Sequence, residues 1–146
     1  MAKARDIPLE GLSFREAAAR IVEVRAREVF EHSEGVLDLE DIERVHAMRV
    51  ATRRLRAAME ICRPCFPKGE FKGLLGEVKD LADVLGERRD PDVAVDFFRD
   101  LTDAGPLVED LERERLEANE RLGAKLEEIE QNDLRGRLEA LALAAV

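Results

Sequence analysis

The chain contains no tryptophan and no tyrosine, and aromatic residues make up only 4% of its 146 residues. Proteins that bind single-stranded nucleic acids stack successive bases on aromatic side chains. Domains that bind nucleic acids are also usually basic, whereas this chain carries a formal net charge of -9. Nucleic acid is therefore not an expected partner, although a local anion site remains compatible with the charge because screening limits the reach of distant carboxylates.

Cysteine is scarce, since Cys62 and Cys65 are the only two in the chain. Two cysteines do not make a disulfide scaffold, and a reducing cytoplasm is the default compartment for such a chain. The intervening Arg63-Pro64 gives the spacing of a redox or zinc motif, but a βαβ context and a second pair of zinc ligands are both missing. We interpret both residues as structural thiols and expect neither a metal ion nor a cofactor.

Long apolar runs and catalytic motifs are also missing. No stretch is apolar enough to span a bilayer, and the segment Met1–Glu10 has no hydrophobic signal-peptide core, so we expect no membrane insertion. There is no P-loop, no nucleophile elbow and no histidine–carboxylate metal motif. The sequence gives little support for an enzyme and identifies no catalytic residue.

Leucine, alanine, glutamate and arginine dominate the chain, and 39% of its residues are charged. This composition is typical of helical bundles. We predict one domain spanning residues 1–146 with an all-α fold: an antiparallel helical bundle of four main helices with additional short helices.

Capping residues, prolines and glycines predict where the helices begin and end. A capping box that begins at Ser13 starts the first helix, which runs to about Glu31 and is followed by Gly35. Asp38 or Asp41 caps the second helix. The second helix is stopped by Pro64 and Pro67, and a third runs from Gly69 or Glu70 to Gly86. A turn at 87–92 leads into a short fourth helix, which runs from Pro91 through Phe97 and Phe98 to about Asp103. After a break at Gly105-Pro106, a fifth helix runs from about Leu107 to Gln131, and a tail helix ends at Val146.

The second helix carries the most informative pattern in the chain. At about 100° per residue, His46, Arg49, Arg53 and Arg56 form one stripe about 80° wide. The apolar residues of the segment lie on the opposite side, and they are Ala47, Met48, Ala51, Leu55, Ala58, Met59 and Cys62. The pattern predicts a helix with its back in the core and a cationic front.

Guanidinium groups bind phosphate oxygens in a fork, so a row of arginines suits a row of phosphates. The alternative is a solvated helix face whose arginines pair with carboxylates of neighbouring helices. His46 is equally compatible with a structural role, Arg54 lies away from the stripe, and Lys79 is by itself weak evidence.

The predicted turn at 87–92 is a second candidate anion site, because a helix N-terminus carries free N–H groups and a favourable field. Arg88 and Arg89 lie beside it. However, Asp90 and Asp92 compete for the same N–H groups, and a capped turn with local Arg–Asp pairs explains the segment better.

Two segments together resemble the CHAD family, the histidine-bearing α-helical domains that bind inorganic polyphosphate. One is Val45–Arg56 followed by Phe66-Pro67. The other begins at Lys79 and continues through Leu85–Val93, which is similar to the family's Leu-Gly-x-x-Arg-Asp-x-Asp-Val segment. The resemblance implies a basic groove in a helical bundle, and it implies that the polyphosphate-binding residues are His46, Arg49, Arg53, Arg54, Arg56, Lys79 and Arg89.

Family members usually contain two such bundles, with the groove between them, whereas this chain has one. A symmetric homodimer would bring two arginine faces together around one polymer. We therefore expect non-enzymatic binding of inorganic polyphosphate in the cytoplasm, with storage-granule attachment among the compatible roles. The alternative is a helical protein-interaction module whose basic face pairs with acidic partner segments.

Overall fold

The computed structural model describes residues 3–101 and 103–145, and within these residues it contains helices and no strand. The all-α prediction is confirmed. The elements in chain order are α1 (Phe14–Glu31), α2 (Ile42–Ile61), a 3-10 turn (Arg63–Cys65), α3 (Lys68–Phe98), α4 (Gly105–Gln131) and α5 (Leu134–Leu143).

The helix ends follow from local capping chemistry. The Ser13 hydroxyl accepts a hydrogen bond from the Glu16 backbone N–H at 3.2 Å, which caps α1. Gly35 adopts a φ of 70° in the connection after α1, a backbone conformation that favours glycine. Asp41 occupies the N-cap position of α2, although its side chain makes no capping hydrogen bond. Pro106 lies in the first turn of α4, where its missing N–H has no intrahelical acceptor.

Side-chain contacts show that neighbouring helices run antiparallel. Between α3 and α4, Arg121 contacts Glu87 near the middle of α3, and Glu112 contacts Arg99 just after the end of α3. Residue numbers in these contacts therefore increase along α3 while they decrease along α4, as expected for antiparallel helices. Between α1 and α5, the Arg135 guanidinium lies 5.9 Å from the centroid of the Phe30 ring near the end of α1.

All five helices contribute to one apolar core. Its fully buried members, with 1% exposure or less, include Ala18, Val22, Ala26, Val29, Val45, Met48, Leu55, Met59, Val78, Leu81, Leu85, Leu122, Leu134, Leu138 and Leu141. Cys62 and Cys65 are also buried and unbonded to each other, and burial, followed by the neighbouring Cys65, raises the pKa of the Cys62 thiol. Both cysteines therefore pack as small apolar side chains, which agrees with a structural role.

The prediction of two separate helices at 69–86 and 91–103 is wrong, because α3 continues through Gly86 and Pro91 to Phe98. Proline lacks the N–H that would bond to the carbonyl four residues earlier. Packing against α4 offsets that loss: Pro91 is buried, and Arg88 and Asp92 on either side of it contact Asn119 and Arg115 of α4. The pattern at 85–92 therefore marks the middle of a 31-residue helix.

Among the described residues, no helix combines the length and the apolar character needed to cross a membrane. The predicted end of the tail helix at Val146 lies outside the described residues. Within them, α5 ends at Leu143.

Candidate anion-binding site

The cationic front of α2 lies opposite a buried back, as predicted. The buried residues of α2 are Val45, Met48, Ala51, Thr52, Leu55, Ala58 and Met59. Thr52 is buried, and its hydroxyl donates to the Met48 carbonyl at 2.7 Å, so its polar group is satisfied within the helix. On the front, Arg53 is exposed, and His46, Arg49 and Arg56 are half-buried.

Arg49 and Arg53 have no ion pair with any carboxylate in the part of the chain that the structure describes. Arg49 reaches towards α3, because its Nε lies 3.8 Å from the point where a Cβ would stand on Gly86. Gly86 therefore lies in ordinary contact distance of the α2 face. These two guanidinium groups keep their hydrogen-bond donors available to a ligand.

Arg56 and Lys79 approach one carboxylate from two helices. The Arg56 Nε lies 3.3 Å from Glu60 Oε1, and the Lys79 Nζ lies 4.0 Å from the same oxygen. All three side chains are more than 40% exposed. Exposed pairs of this kind contribute about 0–1 kcal/mol, so Glu60 brings the two cations together without fixing them in place.

His46 and Arg89 connect the start of α2 to α3. The Arg89 Nη1 donates to the Ile42 carbonyl at 3.5 Å, a long hydrogen bond. Burial, followed by the positive charge of Arg89, lowers the pKa of His46. The His46 Nδ1 atom is buried and has no hydrogen-bond partner among the described residues. The imidazole is thus held towards its neutral form beside two arginines, Arg49 and Arg89.

Arg54 differs from the rest of the predicted set. It is half-buried and already engaged in an interaction. Its position off the stripe agrees with the helical geometry expected from the sequence.

The turn predicted at 87–92 and the candidate anion site at its helix N-terminus are both wrong, because that segment lies inside α3. Arg88, a secondary candidate, is fully buried at 0% exposure and is not available to a ligand. It contacts the buried Asp92 carboxylate, and its Nε donates to Asn119 Oδ1 at 3.1 Å. Asp90 is exposed within the helix and caps nothing.

Arg115 of α4 completes a charge cluster, which we define as the buried Arg88, Asp92 and Arg115 together with the partly exposed Glu112. The Arg115 Nε donates to Asp92 Oδ1 at 2.7 Å, and its Nη1 donates to Glu112 Oε2 at 3.2 Å. Burial opposes the charge of Arg115, but hydrogen bonds to Asp92 and Glu112 outweigh burial and raise its pKa. The four formal charges sum to zero, so the cluster is neutral overall.

The cluster also fixes the connection that leads into α2. Arg115 donates to the Leu39 carbonyl, and the Asn119 side-chain amide donates to the Leu37 carbonyl at 3.2 Å. The backbone just before α2 is therefore attached to α4 by two hydrogen bonds. This attachment, together with Arg89 at Ile42, positions the start of the cationic helix.

Three further cations adjoin the predicted set and were not predicted from the sequence. Arg63, Lys68 and Lys72 line a groove that ends at Lys79. The spacing of Lys68, Lys72 and Lys79 could have identified two of them, because it places all three lysines on one helix face. That inference requires the helix to begin before Gly69.

Unpaired cations are concentrated on this side of the molecule. Across 3–101 and 103–145, and apart from Arg54, the arginines and lysines with neither an ion pair nor a hydrogen bond fall into two groups. Five lie here, namely Arg49, Arg53, Arg63, Lys68 and Lys72, and three lie elsewhere, namely Lys3, Arg15 and Arg20. By contrast, every cation of α4 and α5 pairs with a carboxylate. The predicted face is thus a local exception within an acidic chain.

Two relatives from Mycobacterium tuberculosis are similar to part of the chain. An uncharacterized protein of strain ATCC 25618 / H37Rv is 40% identical over 74 residues, and another of strain CDC 1551 / Oshkosh is 39% identical over 74 residues. The similarity covers 49% of this chain but only 14% of each relative. No solved structure matches the chain.

A family model covers far more of the sequence than either relative. The model described as CHAD domain matches residues 20–145, which extends from the first helix to the last and includes both segments that carry the resemblance. The chain therefore belongs to the CHAD family.

Proposed function

We propose that the protein binds inorganic polyphosphate through the cationic face formed by α2 and α3, without catalysing a reaction. The CHAD family is associated with polyphosphate binding and is generally non-catalytic. The observation that carries the proposal for this chain is that Arg49 and Arg53 lie one turn apart on one face, with no carboxylate partner among the described residues. A location in the cytoplasm at polyphosphate granules is part of the same proposal.

The chemistry of the face suits a flexible polyanion. Each guanidinium presents donors in a fork that matches two oxygens of a phosphate, and a charge-assisted hydrogen bond contributes about 1.5–3 kcal/mol. Arg49 and Arg53 supply the open forks, while Arg56, Lys79 and Arg89 surround them with positive charge. A linear chain of phosphates can contact these groups in succession.

Titration calorimetry with long-chain polyphosphate tests the proposal directly. We expect Arg49→Glu and Arg53→Glu each to weaken binding by about tenfold or more, since each removes one charge-assisted contact and adds a repulsive charge. Arg113→Glu is the matched control, because Arg113 is exposed on α4 and changes the net charge equally.

Salt dependence provides an independent check. Because binding releases counterions from a polyanion, the logarithm of affinity should fall linearly with the logarithm of salt concentration. Each charge reversal on the α2 face should make that slope shallower, whereas Arg113→Glu should leave it unchanged. Equal affinities and slopes for all three variants would contradict the proposed site.

We also propose that two copies pair as a symmetric homodimer around one polymer. A twofold axis would place two α2 faces opposite each other and double the number of phosphate contacts. Light scattering of the protein with and without polyphosphate tests this pairing. A strict monomer in both states would rule out the dimer while leaving binding by a single face intact.

The second candidate function is an interaction module for acidic protein segments. Glu60 favours it, because this carboxylate already lies between Arg56 and Lys79 and shows that the face accepts a carboxylate. Under this function, an acidic helical peptide would bind and polyphosphate would not compete with it. Competition by polyphosphate at low concentration would favour the first function.

A further inference from the structure

A groove of about 770 Å³ lies beside the junction of α2 and α3. Four cations line it, and they are Arg63, Lys68, Lys72 and Lys79. Its floor is apolar, with Phe66, Phe71 and Leu75. Among the residues that the structure describes, no carboxylate lines it. The charged residues of this concave surface are thus all positive, although the protein as a whole is acidic.

The groove cations are not neutralised by the protein. Arg63, Lys68 and Lys72 form no ion pair with any carboxylate in the described ranges. The Arg63 guanidinium instead lies 5.4 Å from the centroid of the Phe71 ring, a contact that leaves its hydrogen-bond donors free. Apolar floor atoms cannot accept hydrogen bonds, so they do not compete with a ligand for these donors.

The N-terminus of α3 lies beside the same groove, since Lys68, its first residue, lines it. Pro67 occupies its N-cap position and provides no side-chain capping hydrogen bond, and the first N–H groups of a helix have no acceptor within the helix. Their partial positive charge favours an anion. Glu70 in that turn partly offsets the effect, but Lys68 and Lys72 lie on the same helix face, within about 40° of each other.

The groove is continuous with the cationic face of α2. Lys79 lines the groove and also approaches Glu60, the partner of Arg56. Lys68 and Lys79 are separated by about 16 Å along the helix at a rise of about 1.5 Å per residue. A long anion bound to Arg53 and Arg56 therefore meets Lys79 next, and beyond it Lys72 and Lys68.

We propose that this groove is a second phosphate-binding segment, which takes the part of a long polyphosphate chain that extends past the α2 face. The proposal rests on the proposed function and adds a consequence for chain length. Short chains occupy the α2 face, because guanidinium forks hold two oxygens each, while lysines act as point charges. Long chains occupy both segments and bind more tightly.

The experiment compares tripolyphosphate with long-chain polyphosphate on the same set of variants. Lys72→Glu should weaken binding of the long chain by about tenfold, equivalent to one charge-assisted contact, and should change binding of tripolyphosphate by less than about twofold. Arg53→Glu should weaken both ligands. Arg113→Glu, exposed on α4, should weaken neither, and thermal unfolding of each variant verifies that it is folded.

The outcomes separate the two proposals. If Arg53→Glu leaves both ligands unaffected, the proposed function fails. If Arg53→Glu weakens binding but Lys72→Glu leaves the long chain unaffected, only the groove proposal fails. If Lys72→Glu weakens tripolyphosphate as much as the long chain, the groove belongs to the primary site, and the division into two segments is overturned.

Discussion

Two groups of arginines in this protein have opposite environments. On α2, Arg49 and Arg53 lie on the front face and pair with no carboxylate in the described part of the chain. Between α3 and α4, Arg88 and Arg115 are buried against Asp92. An open arginine keeps its donors for a ligand, whereas a buried arginine must use them inside the protein. The same side chain is therefore structural in one region and open to solvent in the other.

The contrast is sharpest between Arg88 and Arg89, which are adjacent in the chain. A rotation of about 100° per residue turns Arg88 towards α4, where it is 0% exposed, and turns Arg89 towards Ile42 at the start of α2. Which of the two is available to an anion depends on what packs on each side of α3. Local composition does not contain that information.

The largest expected effect comes from breaking the buried group. Asp92→Ala should lower the free energy of unfolding by about 3–5 kcal/mol, because it leaves two buried arginines without their shared partner. Urea denaturation monitored by circular dichroism measures this change. Arg53→Ala, on the open face, should change stability by less than about 0.5 kcal/mol. Equal effects of the two substitutions would contradict the division into structural and open arginines.

A smaller effect should appear in the pH dependence of the open face. Burial, followed by Arg89, lowers the pKa of His46. Its stabilising contribution is thus present above the pKa of an unfolded histidine, about 6.5, and is lost as pH falls through the folded pKa. A bound polyanion acts in the opposite direction because it stabilises the imidazolium.

Binding should therefore take up a proton at His46, and affinity for polyphosphate should tighten as pH falls from about 7.5 to about 5.5. The gain should reach up to about tenfold, because proton uptake by His46 adds one positive charge beside the bound polyanion. Calorimetry of the wild type and of His46→Gln across this pH range separates the contribution of His46 to the pH dependence of affinity. The polyphosphate itself titrates equally in both experiments. Parallel pH profiles would remove His46 from the site.

The smallest expected effect tests the continuity of α3. Gly86→Ala should raise the free energy of unfolding by about 0.5–1 kcal/mol, because alanine is the better residue inside a helix. A Cβ at this position would meet only Arg49 Nε, at 3.8 Å, so binding should be nearly unchanged. If the helix ended at Gly86, as the sequence suggested, alanine would instead destabilise the protein. Thermal unfolding distinguishes the two signs.

Much of the fold follows from periodicity and capping. The stripe at His46, Arg49, Arg53 and Arg56 predicts both the buried back and the open front of α2, and Ser13 and Gly35 correctly delimit α1. These features depend on residues within a few turns of each other, so local rules suffice. The site residues themselves stay a prediction that binding experiments must test.

The predictions from the sequence are wrong or incomplete where contacts between distant residues determine the structure. Gly86 and Pro91 carry strong local signals for a break, but the contacts of Arg88 and Asp92 with α4 keep α3 continuous across them. The groove was missed for a similar reason: Lys68 and Lys72 join Lys79 only because α3 begins at Lys68 and its first turn lies beside Arg63. No spacing rule links these residues to the end of α2.

The two hydrogen bonds from Arg115 and Asn119 to the backbone carbonyls of Leu39 and Leu37 have a consequence for affinity. They immobilise the segment leading into α2 before any ligand arrives, so association does not have to supply the entropy of ordering it. Asn119→Ala, although remote from every phosphate, should then slow productive capture and lower affinity by loosening this anchor. Under the proposed function, we therefore expect binding strength at the surface to depend on preorganisation between α3 and α4.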